Sequence, residues 1–408
     1  MKALFRNRNY MLLWAGLSVS RFGYRFFNLA ILWFVIQETG SPLALGMTVI
    51  CFTIPTVLVE PIAGVLADRY DKKKIMVITD FSNGMIMLII AFAMISGGLT
   101  LSALYALLVC SAIATALFNP SANASIPLLV EEERLPKANS LNQLSTQGSN
   151  ILGPALAGVL IGVVGNIGIL LLVSGIAFII SAITEIWIKV PRVNEEEETF
   201  HLIDKMKEAL KYVTGSRELL MLVIVGGIII NFFLAPLTIF VTYMSESIFD
   251  VGAAGLGFIS SSVAVGALCG AIMIMLNVFK DKYKMAIIGL SLEGIALLIM
   301  GIGLTYFTTV FTAWLLGLGV ALASVGINTL YQTMIPKEMM GRVLSLVSML
   351  LGASIPLGQL FGSWIITYYS MTLVLVVFGI IILVSALSLI RITMTKNKEE
   401  VALEGKVN

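Results

Sequence analysis

Two arginines four residues apart, Arg21 and Arg25, stand in the middle of an apolar run that extends from about residue 10 to residue 37. Counted from Asn9 at helical rise they lie roughly 18 and 24 Å along the helix, and the spacing of four puts them on one face, with Asn28 a turn further on. Charged groups at that depth are costly unless they line a cavity or meet partners. Arginine stays protonated at physiological pH, so its chemistry here is fixed-charge recognition of an anion or bracing of a carboxylate. Glu60 lies eight residues before Asp68, roughly 12 Å in from the end of its own run. A carboxyl there can exchange a proton, and Glu293, alone in the second half of the chain, is the other candidate for a coupling proton. The bracing alternative pairs Glu60 with an arginine of the first run. Depth favours Arg21 as that partner, leaving Arg25 for an anionic or zwitterionic ligand. Asp80 and Glu185 fall within about two turns of the ends of their runs, where snorkelling or pairing with a loop is expected.

What positions such residues is a membrane. Of 408 residues, 58% are hydrophobic and 12% charged, more apolar material than a soluble core of this length buries. Runs able to cross the hydrocarbon lie at about 10–37, 43–67, 74–96, 99–126, 140–164, 167–189, 219–244, 254–279, 285–304, 306–334, 342–367 and 370–392. These are twelve spans. Of the 26 lysines and arginines, 24 lie in the termini or the even-numbered connections, two are Arg21 and Arg25, and none lies in an odd-numbered connection. Short loops rich in Lys and Arg stay cytoplasmic, so both termini are expected in the cytoplasm of a cell-membrane protein. The basic N-terminus runs into an apolar stretch too long for a signal-peptide core, so the first span is expected to be retained.

One long connection divides the chain into a first bundle at 1–190, a linker at 191–218, a second bundle at 219–394 and a tail at 395–408. The linker holds the acids Glu195 to Glu198, then a stretch from His201 in which Ile203, Met206, Leu210 and Val213 recur at helical spacing. That pattern predicts an amphipathic helix on the cytoplasmic surface or, equally, a linker helix touching protein. The halves resemble each other. Asn119-Pro-Ser-Ala-Asn123-Ala-Ser-Ile126-Pro127 in the fourth span matches Asn328-Thr-Leu-Tyr-Gln332-Thr-Met-Ile335-Pro336 in the tenth, and Gly153-Pro154 in the fifth matches Pro356-Leu-Gly358 in the eleventh. A duplicated six-helix unit is what alternating access requires, two bundles rocking about a shared midplane site.

Asn28, Asn119, Asn123, Gln147, Asn150, Asn231, Asn328, Gln332 and Gln359 fall in spans that would face a central cavity. With 20 methionines and 21 phenylalanines they suit a roomy, adaptable apolar pocket, although each singly serves as readily to join helices. Gly158-x-x-x-Gly162, Gly266-x-x-x-Gly270 and Gly358-x-x-x-Gly362 put small faces on the fifth, eighth and eleventh spans. Cys51, Cys110 and Cys269 each fall singly in an apolar run, so neither a disulfide nor a metal site is expected. The single histidine lies in the linker, and there is no His-Glu-x-x-His, no Gly-x-Ser-x-Gly and no phosphate-binding Gly-rich Lys-Ser/Thr loop. That argues against an enzyme, a nucleotide-driven pump and any cofactor. A net charge of +2 without a basic aromatic patch argues against nucleic acid.

Gly64-x-x-x-Asp68-Arg69-x-Asp71-Lys72-Lys73 resembles the major facilitator superfamily's signature between the second and third helices, with Asp71 where a glycine is usual. Ser149-x-x-x-Gly153-Pro154-x-x-Ala157-Gly158 resembles the fifth-helix motif of its proton-driven antiporters. Phe118 to Val130, followed by Glu133-Arg-Leu-Pro-Lys-Ala-Asn139, is similar to the branch holding macrolide and enterobactin exporters. The resemblance covers all twelve spans. It implies an all-α integral membrane protein, twelve transmembrane helices in two pseudo-symmetric six-helix bundles. The implied function is secondary export of amphiphilic small molecules, multidrug-type antiport against protons, by a monomer in the lipid bilayer. Gly64, Asp68, Arg69, Gly153 and Pro154 would serve gating. Export of an anionic metabolite, siderophore or lysolipid, facilitation without proton coupling, and a non-transporting receptor stay open as alternatives. Many antiporters of this kind carry an arginine in mid fourth helix linked to proton transfer; the matching position here is Ser111, and no lysine or arginine occurs between Leu101 and Val130. Coupling must then use another residue or be absent.

Overall fold

The structure, a computed structural model, describes residues 4, 6–191, 202–276, 278–279, 281–336 and 338–407. Glu195 to Glu198 and His201 lie outside the described residues, as do the side chains of Asp68 and Ile203.

Thirteen helices are described, and no strand occurs among the described residues. They are α1 (Arg8–Thr39), α2 (Pro42–Arg69), α3 (Lys72–Ile95), α4 (Leu101–Leu129), α5 (Leu135–Val164), α6 (Ile167–Ile186), α7 (Leu202–Gly215), α8 (Arg217–Ile248), α9 (Gly252–Met275), α10 (Lys282–Ile302), α11 (Tyr306–Met334), α12 (Met340–Ile365) and α13 (Met371–Val407). All but α7 are long and apolar enough to cross a membrane, which gives the twelve expected spans.

Local signals explain where they start and stop. The Asn7 side chain accepts the Tyr10 N–H at 3.1 Å to open α1, and Gly40 closes it in the left-handed region at φ 59°. Asp71, the residue that departs from the loop signature, caps α3 by accepting the Lys74 N–H at 3.3 Å. Such a cap contributes about 1 kcal/mol. Helix α8 is less regular than its hydropathy suggests, with π-helical turns at Ile224–Ile229 and Met244–Ile248.

Contacts gather the chain into two compact units, Met1–Glu198 with Val241–Ser261, and Thr199–Phe240 with Ser262–Asn408. The duplication legible in the sequence recurs in their packing. In the first unit α3 crosses α6 at Gly84 and Gly175, where a Cβ on either would stand 3.1 Å from the other's carbonyl oxygen. In the second, α10 crosses α13 at Gly294 and Gly379 in the same reciprocal way, at 2.9 and 2.8 Å. Asn83 and Glu293 each immediately precede the crossing glycine. Small residues at these points let backbones approach closely where hydrocarbon supplies no hydrophobic drive for association.

Helix α7 docks on the second unit. Ala209 and Val213 are buried, the Tyr212 hydroxyl donates to the Met334 carbonyl at 3.0 Å, and Arg342 pairs with Glu208 at 2.7 Å. Leu210 is 48% exposed, so the buried stripe runs through Ala209 and Val213 rather than through Leu210 as expected. The helix thus meets protein along its Ala209 and Val213 face, while Leu210 stays open.

Candidate functional site

The arginines of α1 belong to a stripe that joins this helix to α5. Tyr10 donates to the Ala138 carbonyl at 2.8 Å, Trp14 Nε1 to the Leu141 carbonyl at 3.1 Å, and Ser18 shares a hydrogen bond of 2.7 Å with Ser145. Arg21 continues the series, its Nη1 donating to the Asn142 carbonyl at 3.3 Å. The spacing of three or four along α1 keeps these groups on one side, and hydrogen bonds between helices replace the water that hydrocarbon excludes. One turn on, the guanidinium of Arg25 lies over the Tyr24 ring, 5.6 Å from its centroid. The stem of Arg25 rests against Gly153: a Cβ on that glycine would stand 2.6 Å from Arg25 Cβ and 2.9 Å from Cγ. The glycine of the fifth-span motif thus makes room for an arginine of the first.

The expected pairing of Glu60 with Arg21 does not form. Glu60 is exposed on α2, and among the described residues no ion pair joins it to Arg21 or Arg25. Equal depth in two helices brings side chains together only if both faces also turn toward each other, and here Arg21 turns toward α5. Asp80 and Glu185 depart from expectation in the other direction. They neither snorkel nor meet a loop: they are 1% and 0% exposed, and none of their carboxyl oxygens has a hydrogen-bond partner. Glu293 is 2% exposed, close to Gly319 of α11, with Oε2 unpartnered. Ser111, at the position of the antiporter arginine, is buried and donates to Asn83 Oδ1 at 2.7 Å, tying α4 to α3.

The neutral polar residues divide. Asn119, Asn123, Gln147, Asn328 and Gln332 are exposed, and Asn28 is half-buried. Gln147 accepts from Asn150 at 3.0 Å, one turn along the same helix. Asn231 turns back on its own helix, donating to the Gly227 carbonyl at 3.0 Å, and Gln359 is buried with Oε1 unpartnered. Of the gating set, Gly64 faces open space, Arg69 is exposed at the end of α2, and the side chain of Asp68 is not among those described.

The small faces make close helix approaches. Within the first unit, Gly158 meets the backbone of Ala253, Gly257 meets the Pro154 carbonyl, and Ser261 donates to the Ile151 carbonyl at 2.6 Å, so α5 and α9 touch backbone to backbone. Gly266 and Gly270 face Trp314 and Leu318 of α11, and Gly358 faces the backbone of Phe232.

Comparison with known proteins adds four findings. Residues 2–406 match the profile of a family described as transmembrane secretion effector. Macrolide efflux protein A of Streptococcus pyogenes is 27% identical over 360 residues, 86% of this chain and 87% of the relative. The staphyloferrin A transporter of Staphylococcus aureus is 28% identical over 134 residues, 32% of this chain and 33% of that one. Among solved structures, a bacterial homologue of the iron transporter ferroportin in its inward-facing state superposes with a TM-score of 0.74 at 17% identity, over 95% of this chain and 98% of that one. This last likeness is one of fold.

Proposed function

The chain belongs to the transmembrane secretion effector family, multi-pass transporters of the major facilitator fold, and from that premise we propose that it is a proton-coupled exporter of amphiphilic small molecules of the macrolide kind. The observation that carries the reading is the relation to a macrolide efflux protein along more than four-fifths of both chains. The exposed amides of α4 and α5 and the half-buried Arg25, all of the first unit, supply polar contacts for a ligand whose remaining surface is apolar.

In this reading the bundles at 1–190 and 219–394 alternate access, and Gly64, Asp68 and Arg69 close the cytoplasmic side. Gly153 and Pro154 hold α5 against the arginine face of α1. Glu293 and Glu60 carry the coupling proton, Glu293 from a site without a cation and Glu60 from an exposed one. The protein works as a monomer in the cell membrane with both termini in the cytoplasm, which the placement of its lysines and arginines supports.

A second reading, export of an anionic metabolite or siderophore, is favoured by the local likeness to the staphyloferrin A transporter and by a fixed positive charge at Arg25 with no carboxylate paired to it among the described residues. Everted membrane vesicles containing the protein and acidified inside should accumulate a radiolabelled macrolide and release it on adding a protonophore. Retention equal to that of vesicles lacking the protein would overturn the reading.

A further inference from the structure

We infer that Asp80 on α3 and Glu185 on α6, with the Ser181 hydroxyl on the Glu185 face of α6, form a proton-binding site inside the first unit. Glu60, the acid of that unit first proposed for coupling, is exposed and lies on α2. Asp80 and Glu185 are 1% and 0% exposed, on two helices whose backbones meet at Gly84 and Gly175, and the charge of one acts on the other. The Ser181 oxygen is fully buried and makes no hydrogen bond, and its spacing of four from Glu185 puts the two on one face of α6. Its place is made by Gly16 of α1: a Cβ there would stand 3.2 Å from Ser181 Oγ and would collide with Thr184 Oγ1.

The surrounding groups leave the pair to itself. On α6, Thr184 donates to the Ser181 carbonyl at 2.7 Å. On α3, Thr79 bonds back to Ile75 and Met76, and Asn83 is taken by Ser111 and Thr115 of α4. On α1, Tyr10 donates to Ala138, while Arg21 and Arg25 are held at Asn142 and over Tyr24. Lys74 and Lys189, the lysines nearest in sequence, are exposed. Among the described residues no cation faces either acid.

Two carboxylates side by side, out of water and without a cation, repel each other and forgo hydration, and a proton held between them removes both costs. Among the described residues no third Asp, Glu, His or Cys joins the two acids to make a metal-binding group. With one proton bound the site carries one negative charge instead of two, and the Ser181 hydroxyl, which makes no hydrogen bond of its own, is the buried donor on the Glu185 face of α6. Loss of that proton places two negative charges where α3, α6 and α1 meet through Gly16, Gly84 and Gly175, and so favours parting these helices to admit water. The coupling of that movement to transport rests on the exporter reading; the proton binding does not.

The test is pH-difference infrared spectroscopy on the full chain in liposomes, reading the carbonyl band of a buried protonated carboxyl, with gradient-driven macrolide uptake measured in parallel. Wild type should lose the band as pH rises, D80N/E185Q should lack that component, and E60Q should retain it. An unchanged band in D80N/E185Q overturns the site. If that variant fails to reach the membrane, E185Q alone should lose the component and S181A should move its pH midpoint; a band unchanged in both has the same overturning force. Loss of both the band and gradient-driven accumulation supports the coupling, and loss of the band with accumulation intact overturns it. Should wild type move no macrolide while the band behaves as stated, the exporter reading falls and the proton site stands.

Discussion

Substituting Gly153 by alanine separates a packing role from a generic helix effect, because Gly148 on the same helix offers the contrast. A Cβ at Gly153 would meet Arg25 Cβ at 2.6 Å and Cγ at 2.9 Å, whereas one at Gly148 meets nothing within 4 Å. Arg25 Cβ is bonded to its own backbone and cannot swing away, so α1 and α5 must separate locally. Overpacking of this kind costs about 1–3 kcal/mol. Alanine also gains about 1 kcal/mol over glycine in a helix, but that gain is common to both sites. The difference between Gly153→Ala and Gly148→Ala is then the clash alone, about 1–3 kcal/mol against Gly153→Ala. The assay is thermal unfolding of the detergent-solubilised full chain, in which Gly148→Ala should melt at or above wild type and Gly153→Ala below it. Adding Arg25→Gly, which removes both offending atoms, should abolish the deficit specific to Gly153→Ala in a double-mutant cycle. Equal melting of the two alanine variants, or a deficit untouched by Arg25→Gly, would refute the claim that Gly153 exists to seat Arg25.

Ser111→Ala leaves Asn83 Oδ1 buried without its donor and should cost about 1–3 kcal/mol of thermal stability while leaving the pH dependence of transport unchanged. Arg342→Ala removes an exposed ion pair to Glu208 and should cost at most about 1 kcal/mol, a loss that shrinks further in high salt. Asp68→Asn should impair transport far more than equilibrium substrate binding, and an equal loss of both would contradict a gating role. Arg25→Gln should weaken transport of anionic amphiphiles selectively in competition assays against matched cations, whereas Arg21→Gln, which gives up the contact with Asn142, should harm all substrates alike; identical profiles would end the division of labour.

Much of the architecture is a property of the sequence alone. Whether a stretch can cross a membrane is a sum over roughly 20 consecutive residues, so all twelve spans could be counted from composition and turn residues. The duplicated Asn-Pro segments likewise announced two alike halves, and the crossings at Gly84–Gly175 and Gly294–Gly379 repeat that relation in packing. What sits beside what is a different quantity. Each residue turns a helix by about 100°, so one position of error moves a side chain to another neighbour. Arg21 therefore meets Asn142 and not Glu60, although depth along the helices favoured Glu60. Leu210, whose spacing predicted burial, is exposed and Ala209 beside it is buried for the same reason. Asp80 and Glu185, read singly, are acids near helix ends. They become a buried pair because Gly16, Gly84 and Gly175, far apart in the chain, let α1, α3 and α6 close around them, and that is decided by tertiary packing and by no local pattern.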